Sequence, residues 1–281
     1  AEQASDIGVQ GALVGLGELS STIGGYKVAK SWAEKAESGK SVWLKAASAA
    51  TAPTNVELPS DAQVIGAVQR HFGSNATMVC AAGGLPGELH KLWQQGAPGS
   101  YHMEYGFSCM GYEIAGGLGV KLAKPDEDVI VMVGDGSYMM MNSEIATSIM
   151  MGAKLNIVVL DNRGYGCINR LQMATGGANF NNLLKDTWHK ELPDLDFAAH
   201  AASMGAVAIK VKSIAELEAA LAKTKSETRT CVIVIDTDPL ITTKEGGNWW
   251  DVAVPEVSVR KSVNEARSKY EEALKKQRVG N

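Results

Sequence analysis

Val133-Gly134-Asp135-Gly136-Ser137 and, further on, Leu160-Asp161-Asn162-Arg163-Gly164-Tyr165 each close a run of apolar residues. Asp128 to Val133 reads as a short buried strand, Met139 to Met151 as a helix and Leu155 to Leu160 as a second buried strand, which together make one βαβ unit. A helix of about 13 residues rises roughly 20 Å and a strand of about six residues spans roughly the same, so the crossover returns the chain to the edge it left. Asp135 and Asn162 are thereby expected at neighbouring strand ends. The helix start at that edge favours an anion such as diphosphate through its free N–H groups and its dipole. Gly134 and Gly136 let the backbone approach a ligand, and Asp135, Asn162 and a backbone carbonyl near Gly164 are hard oxygen ligands suited to Mg²⁺. Gly-Asp-Gly-Ser is also a common turn sequence. The local expectation is a magnesium diphosphate site.

At 281 residues the chain can bury a sizeable core. Apolar residues make up 45% and charged residues 21%, with a net charge of −4 and scattered lysines, so neither disorder nor a nucleic-acid surface is expected. No apolar run is long enough to cross a bilayer, and residues 1–30 lack the basic-then-apolar layout of a signal peptide, so a cytoplasmic protein without membrane partners is the expectation. Cys80, Cys109, Cys167 and Cys231 form no Cys-x-x-Cys pair, which argues against zinc and against a disulfide framework.

Around the central unit, strands alternate with helices, which predicts an α/β fold with a doubly wound, mostly parallel sheet and helices on both faces. Residues 1–59 read as the remnant of a preceding domain plus a linker, or else as an N-terminal arm of the same domain, with a Gly-rich stretch from Gly8 to Gly25 and an amphipathic helix over Tyr26–Ala36. Trp32, Trp43 and Leu44 are apolar anchors there without an obvious local core. Residues 60–243 read as one α/β domain. Ser60 or Asp61 caps a helix reaching about Phe72, Thr77 to Ala81 is a strand, and the glycine cluster Gly83 to Gly87 follows it, where an α/β sheet contacts its ligand. Glu88 to Trp93 starts the next helix. Tyr101 to Gly111 reads as a loop carrying His102, Glu104, Tyr105, Ser108, Cys109 and Met110, and so many polar and aromatic groups together point to a lined pocket. In the helix Gly111–Ala123, Gly116, Gly117 and Gly119 are expected to pack closely on the sheet. Cys167 to Pro193 reads as a long irregular stretch, followed by a strand at Ala206–Val211, a helix at Ser213–Lys225 and a strand at Cys231–Asp236. Residues 244–281 form a tail with Trp249, Trp250 and a charged helix over Ser262–Gln277, a candidate lid or interface.

The central stretch resembles the motif of thiamine-diphosphate enzymes, which opens with Gly-Asp-Gly and closes with an Asn at the separation found here, 27 residues from Asp135 to Asn162. That resemblance implies the thiamine-diphosphate fold, with residues 60–243 as its diphosphate-binding domain. Asp135, Asn162 and the Gly164 carbonyl become Mg²⁺ ligands, with Gly134, Gly136, Ser137, Tyr165 and Gly166 at the cofactor. Gly83, Gly84, Leu85 and His90 match the family's first diphosphate-side loop, although a histidine on a helix surface would look the same. Met110, 25 residues before Asp135, falls where the decarboxylase and acetohydroxyacid-synthase-like members place the apolar wedge under the bent cofactor; core packing would also put a Met there. Two departures stand out. Tyr112-Glu113 replaces the usual Gly-Leu-Pro, and Asp161 replaces the first Asn of the usual Asn-Asn pair.

At finer grain, residues 80–93, 101–113, 135–146 and 161–168 resemble the family's ring-opening hydrolase branch in inositol degradation. This implies C–C hydrolysis of a cyclic polyol 1,2-diketone to a deoxyglucuronate, with His102, Glu104, Tyr105 and Met110 as catalytic candidates. The family's activating glutamate belongs to a pyrimidine-binding domain, and Glu18, Glu34, Glu37 and Glu57 have no such context, so that domain is expected outside this chain, in a homodimer or homotetramer. The alternatives are another member of the acetolactate synthase and decarboxylase group, or a fragment that only holds cofactor or assembles. A nicotinamide dehydrogenase is disfavoured because Gly-x-Gly-x-x-Gly follows none of the strands.

Overall fold

The computed structural model describes residues 30–104, 106–247 and 252–277. The chain divides into two compact units, residues 1–46 and 47–281. In the first, the described residues belong to α1 (Lys30–Ala50), where Trp32 and Leu44 stand in solvent. The helix expected over Tyr26–Ala36 thus runs further toward the C-terminus; residues 26–29 and the Gly8–Gly25 stretch lie outside the described residues.

The second unit is built on six strands: β1 (Thr77–Cys80), β2 (Tyr101–Met103), β3 (Val129–Gly134), β4 (Asn156–Asp161), β5 (Val207–Val211) and β6 (Cys231–Asp236). Their order is β2-β1-β3-β4-β6-β5, and every ladder is parallel. Parallel strands covered on both faces have no solvated side, which is why β3 and β4 read as unbroken apolar runs. Pleating sends alternate residues to opposite faces. Val131, Val133, Ile157, Val159, Val232 and Val234 join one cluster with Ile114, Leu118, Tyr138, Ile145 and Phe197 from the helices on that face. Their neighbours Ile130, Met132, Val158, Leu160, Ile233 and Ile235 are buried as deeply, on the side of α2 (Asp61–Phe72), α3 (Gly84–Leu92) and α9 (Ile214–Thr224). The doubly wound sheet expected from the strand and helix alternation is therefore present. Ser60 caps α2 as a capping box with Gln63, and Val64, Ile65 and Val68 are buried.

Several boundaries differ from the sequence reading. The crossover between β3 and β4 is two short helices, α5 (Asp135–Met140) and α6 (Glu144–Met150), in place of one helix over Met139–Met151. α5 starts directly at the strand end, and Asn142 breaks the run: its side-chain Nδ2 donates to the Tyr138 carbonyl, and its own carbonyl accepts from Ile145. α3 already begins at Gly84, so the Gly83–Gly87 cluster is its first turn and Pro86 sits where no N–H partner is needed. Tyr101–Met103, read as loop, pairs with β1 as the edge strand, because three residues are too few to show a period. The Cys167–Pro193 stretch opens inside a helix, α7 (Gly166–Ala174), and a short helix before β5, α8 (Phe197–Ser203), had no sequence signal beyond Asp196, its cap. In α4 (Tyr112–Ala123) Gly117 packs on the sheet, Gly116 makes room for the Tyr112 ring of the same helix, and Gly119 faces open space. The charged tail helix is α10 (Lys261–Leu274). No helix among the described residues is long and apolar enough to cross a membrane.

Candidate cofactor site

β1 leads to β2 on one side of itself, and the chain then returns to β3 on the other, so the winding reverses between β1 and β3. Outside the carboxyl ends of the strands, such a reversal leaves a crevice that helices cannot fill. Here it is a cavity of about 240 Å³. Gly83, Gly84 and Leu85 line it after β1, Gly134, Asp135, Gly136 and Ser137 after β3, and Asn162, Gly164, Tyr165 and Gly166 after β4. Met110 and Ser108 reach it from the loop before α4. Three helices, α3, α5 and α7, start on this wall without a side-chain cap, whereas Ser60, Asp196 and Ser213 cap α2, α8 and α9. Uncapped N–H groups turned toward one cavity are donors for an anion's oxygens.

Asp135 is buried, and its Oδ2 accepts the Gly164 N–H at 2.8 Å while Oδ1 has no hydrogen-bond partner. Asn162 likewise leaves Oδ1 buried and unpartnered. Burial, and after it the neighbouring Asp161 carboxylate, push the Asp135 pKa from 3.8 up to about 7. Asp161 is itself raised by burial, against the Arg163 backbone N–H that donates to Oδ1 at 3.1 Å and the guanidinium Nε at 3.2 Å from Oδ2. Two unpaired oxygens on one wall, one of them on a carboxyl that ionises with difficulty, fit a divalent cation, which would satisfy both and favour the ionised form. Among the described residues no group of three His, Cys, Asp or Glu can hold a metal. The donor set is thus one carboxylate plus neutral oxygens, the kind Mg²⁺ completes with phosphate and water. Gly164 must be glycine: its φ is 148°, and a Cβ would stand 2.4 Å from the Asn182 carbonyl. Gly136 is required by the Tyr165 ring, 2.6 Å from where its Cβ would be, rather than by a ligand; Gly134 alone of the pair leaves its Cβ position open.

A family profile described as "Thiamine pyrophosphate enzyme, C-terminal TPP binding domain" matches residues 81–235. The chain belongs to this family of thiamine pyrophosphate enzymes. It is similar to a 3D-(3,5/4)-trihydroxycyclohexane-1,2-dione hydrolase of Geobacillus thermodenitrificans, 43% identical over 218 residues that make up 75% of this chain and 34% of that protein. The 3D-(3,5/4)-trihydroxycyclohexane-1,2-dione hydrolase 2 of Bacillus cereus is 42% identical over 221 residues, covering 76% of this chain and 34% of its own length. The chain therefore spans about a third of the length of the curated relatives it matches. Among solved structures, the thiamine diphosphate-dependent 4-hydroxybenzoylformate decarboxylase of Rhodococcus jostii RHA1 aligns with a TM-score of 0.59 at 19% identity, over 66% of this chain and 34% of that one. The benzoylformate decarboxylase of Polynucleobacter necessarius aligns at 0.58 and 20%, over 68% and 35%. These two share the fold.

Within the thiamine pyrophosphate domain, His90, His102 and Glu104 lie apart from the inner cavity. His90 is on the wall of a larger outer cavity of about 990 Å³ and sets its Nε2 against Met103 Sδ. His102, on β2, directs Nε2 to the Gly99 carbonyl at 3.1 Å. Glu104 accepts the backbone N–H groups of Cys109 at 2.5 Å and Phe107 at 3.0 Å, bonds that hold its pKa below the ordinary value, so its carboxylate shapes the loop leading to Met110. Tyr105, Trp249 and Trp250 lie outside the described residues. Sequence reasoning misses two charged residues on the inner wall, Asp61 and Arg170. Arg170 donates from Nη1 to the Pro239 carbonyl at 2.5 Å, and a Cβ on Gly84 would stand 2.1 Å from its Nη2, so that glycine makes room for the guanidinium. A lone Arg on an amphipathic helix carries no motif; Asp61 was visible only as the first residue of a capped helix.

Proposed function

We propose that this chain is the diphosphate- and Mg²⁺-binding part of an enzyme that opens a cyclic polyol 1,2-diketone by C–C hydrolysis, turning a trihydroxycyclohexane-1,2-dione into 5-deoxyglucuronate in myo-inositol degradation. The observation that carries this is the 42–43% identity to relatives named for that substrate. The uncapped cavity at the sheet switch point supports it. Asp135, Asn162 and the Gly164 carbonyl would hold the metal, with Gly136, Ser137 and the starts of α3 and α7 at the diphosphate. Thiamine diphosphate, when bound, supplies the electron sink for breaking a C–C bond beside a carbonyl. Met110 would press on the cofactor from the loop that Glu104 organises, and His102 and Tyr105 are the candidates for the substrate's hydroxyl groups. Residues 60–243 form the working domain on this reading, with residues 1–59 the end of a preceding domain and the tail from 244 a lid or an interface.

The cofactor's activating glutamate would come from a pyrimidine-binding domain outside this chain, across the interface of a homo-oligomer. Exposed Phe107, Met150 and Trp188 offer apolar surface for such an assembly. Four free cysteines fit a cytoplasmic enzyme. The test supplies thiamine diphosphate, Mg²⁺ and the cyclic dione to this 281-residue chain and to a protein that also carries the pyrimidine domain. The longer protein is expected to release the ring-opened acid while the chain alone binds cofactor without turnover. Full turnover by the chain alone would overturn the division of labour, and no acid from the longer protein would overturn the substrate.

A further inference from the structure

Glu113 is only 2% exposed in the first turn of α4. Ser137 Oγ lies 2.7 Å from its Oε1 and 2.8 Å from its Oε2. The Gly111 N–H is shared between Glu113 Oε2, at 2.9 Å, and Ser137 Oγ, at 2.7 Å. A serine hydroxyl has one proton, and an ionised carboxylate can only accept. While Glu113 is ionised, the Ser137 proton is therefore committed to Glu113, and only lone pairs are left for the cavity. A phosphate oxygen arriving there would meet lone pairs with lone pairs. If Glu113 carries a proton, the bond reverses: the carboxyl donates to Ser137 Oγ, and the hydroxyl proton is free to turn to the phosphate.

We propose that Glu113 is a positioning residue that sets the direction of the Ser137 proton, and that it takes up one proton from solvent when a diphosphate binds against Ser137. This rests on the reading of the inner cavity as the cofactor's diphosphate site. Of the elements around α4, β3 brings no titratable side chain, β1 brings Cys80, α5 brings Asp135 and Tyr138, and α6 brings Glu144. Burial raises the Cys80 thiol, the Tyr101 hydroxyl opposes the rise, and Glu113 adds a smaller part to it. Burial favours the neutral form of Glu113 as well, opposed by the bonds from Ser137 and Gly111.

Calorimetric titration of the protein with thiamine diphosphate and Mg²⁺, in buffers of different ionisation heat, counts the protons exchanged. Glu113→Gln keeps the geometry, because the amide N–H₂ can donate to Ser137 while its oxygen accepts from Gly111. The wild type should take up nearly one proton per site more than the Glu113→Gln variant; any proton released elsewhere in the site cancels in that difference. This variant should also bind several-fold tighter at pH 8, the difference shrinking as the pH falls and the wild-type Glu113 takes up its proton. Should Glu113→Gln fail to fold, Ser137→Ala gives the second measure, since without the hydroxyl the extra proton uptake disappears. Equal proton counts and parallel pH profiles in wild type and variants would overturn the role of Glu113 while leaving the cofactor site standing. Absence of any thiamine diphosphate binding by the wild type would remove both.

Discussion

Asp61 shows how a side chain far from the Gly-Asp-Gly motif can carry an electrostatic load for the cavity. It is wholly buried at the start of α2, and burial raises its pKa from 3.8 to about 6, with the Arg170 guanidinium opposing and Glu88 adding to the rise. A carboxyl whose pKa is higher folded than unfolded binds more protons in the native state. Its favourable contribution is thus complete below about pH 4 and is lost as the pH climbs through 6. The shift corresponds to about 3 kcal/mol at neutral pH. Asp61→Asn is expected to flatten the dependence of the urea midpoint on pH between 4 and 7, and to gain more stability at pH 7 than at pH 4; an unchanged slope would refute it. That Asp135 and Asn162 stand at neighbouring strand ends was legible in the sequence, because each follows an apolar run. Asp61 and Arg170 were not, because the fold alone brings residues 61, 84 and 170 together. Glu113 did leave a trace, as the lone acid in the otherwise glycine-rich and apolar start of α4.

Among the elements, α4 packs on the sheet through Gly117, and its glycines differ in purpose although the sequence presents them as one set. A Cβ on Gly117 would stand 2.4 Å from Val131 Cγ2, whereas nothing lies within 4 Å of the Cβ position of Gly119. Val131 is fully buried in the middle of β3 and cannot swing aside. Gly117→Ala should therefore cost about 1–3 kcal/mol, while Gly119→Ala should add about 0.5–1 kcal/mol through helix propensity. Urea denaturation of the two variants checks the opposite signs, and a Gly117→Ala protein as stable as wild type would contradict the packing. β1, β3, β4 and β6 were readable because burial on both faces writes continuous apolar runs, whereas β2, three half-buried residues, was not. The break between α5 and α6 was hidden, since the Met139–Met141 run looks helical throughout and the interruption depends on the Asn142 side chain finding the Tyr138 carbonyl.

At the scale of the whole molecule, the inner cavity is assembled from residue 61 and from segments 82–85, 108–110, 134–137 and 160–170, so a ligand seated there bridges the segments that follow β1, β3 and β4. A ligand bound only by the native state stabilises it by about 2.7 kcal/mol at a hundred times its Kd. For a domain of this size that corresponds to a rise in Tm of roughly 5–10 °C. Thiamine diphosphate with Mg²⁺ should produce that rise in scanning calorimetry, and thiamine diphosphate with a chelator a much smaller one. Asp135→Asn separates ligand loss from misfolding. Because the fold raises the pKa of Asp135 to about 7, ionising it at pH 8 works against the native state, and the neutral amide is free of that penalty. The Asp135→Asn variant without ligand should accordingly melt no lower than the wild type at pH 8, yet lose the Mg²⁺-dependent part of the rise. A variant that keeps the full rise would show that the metal is held elsewhere.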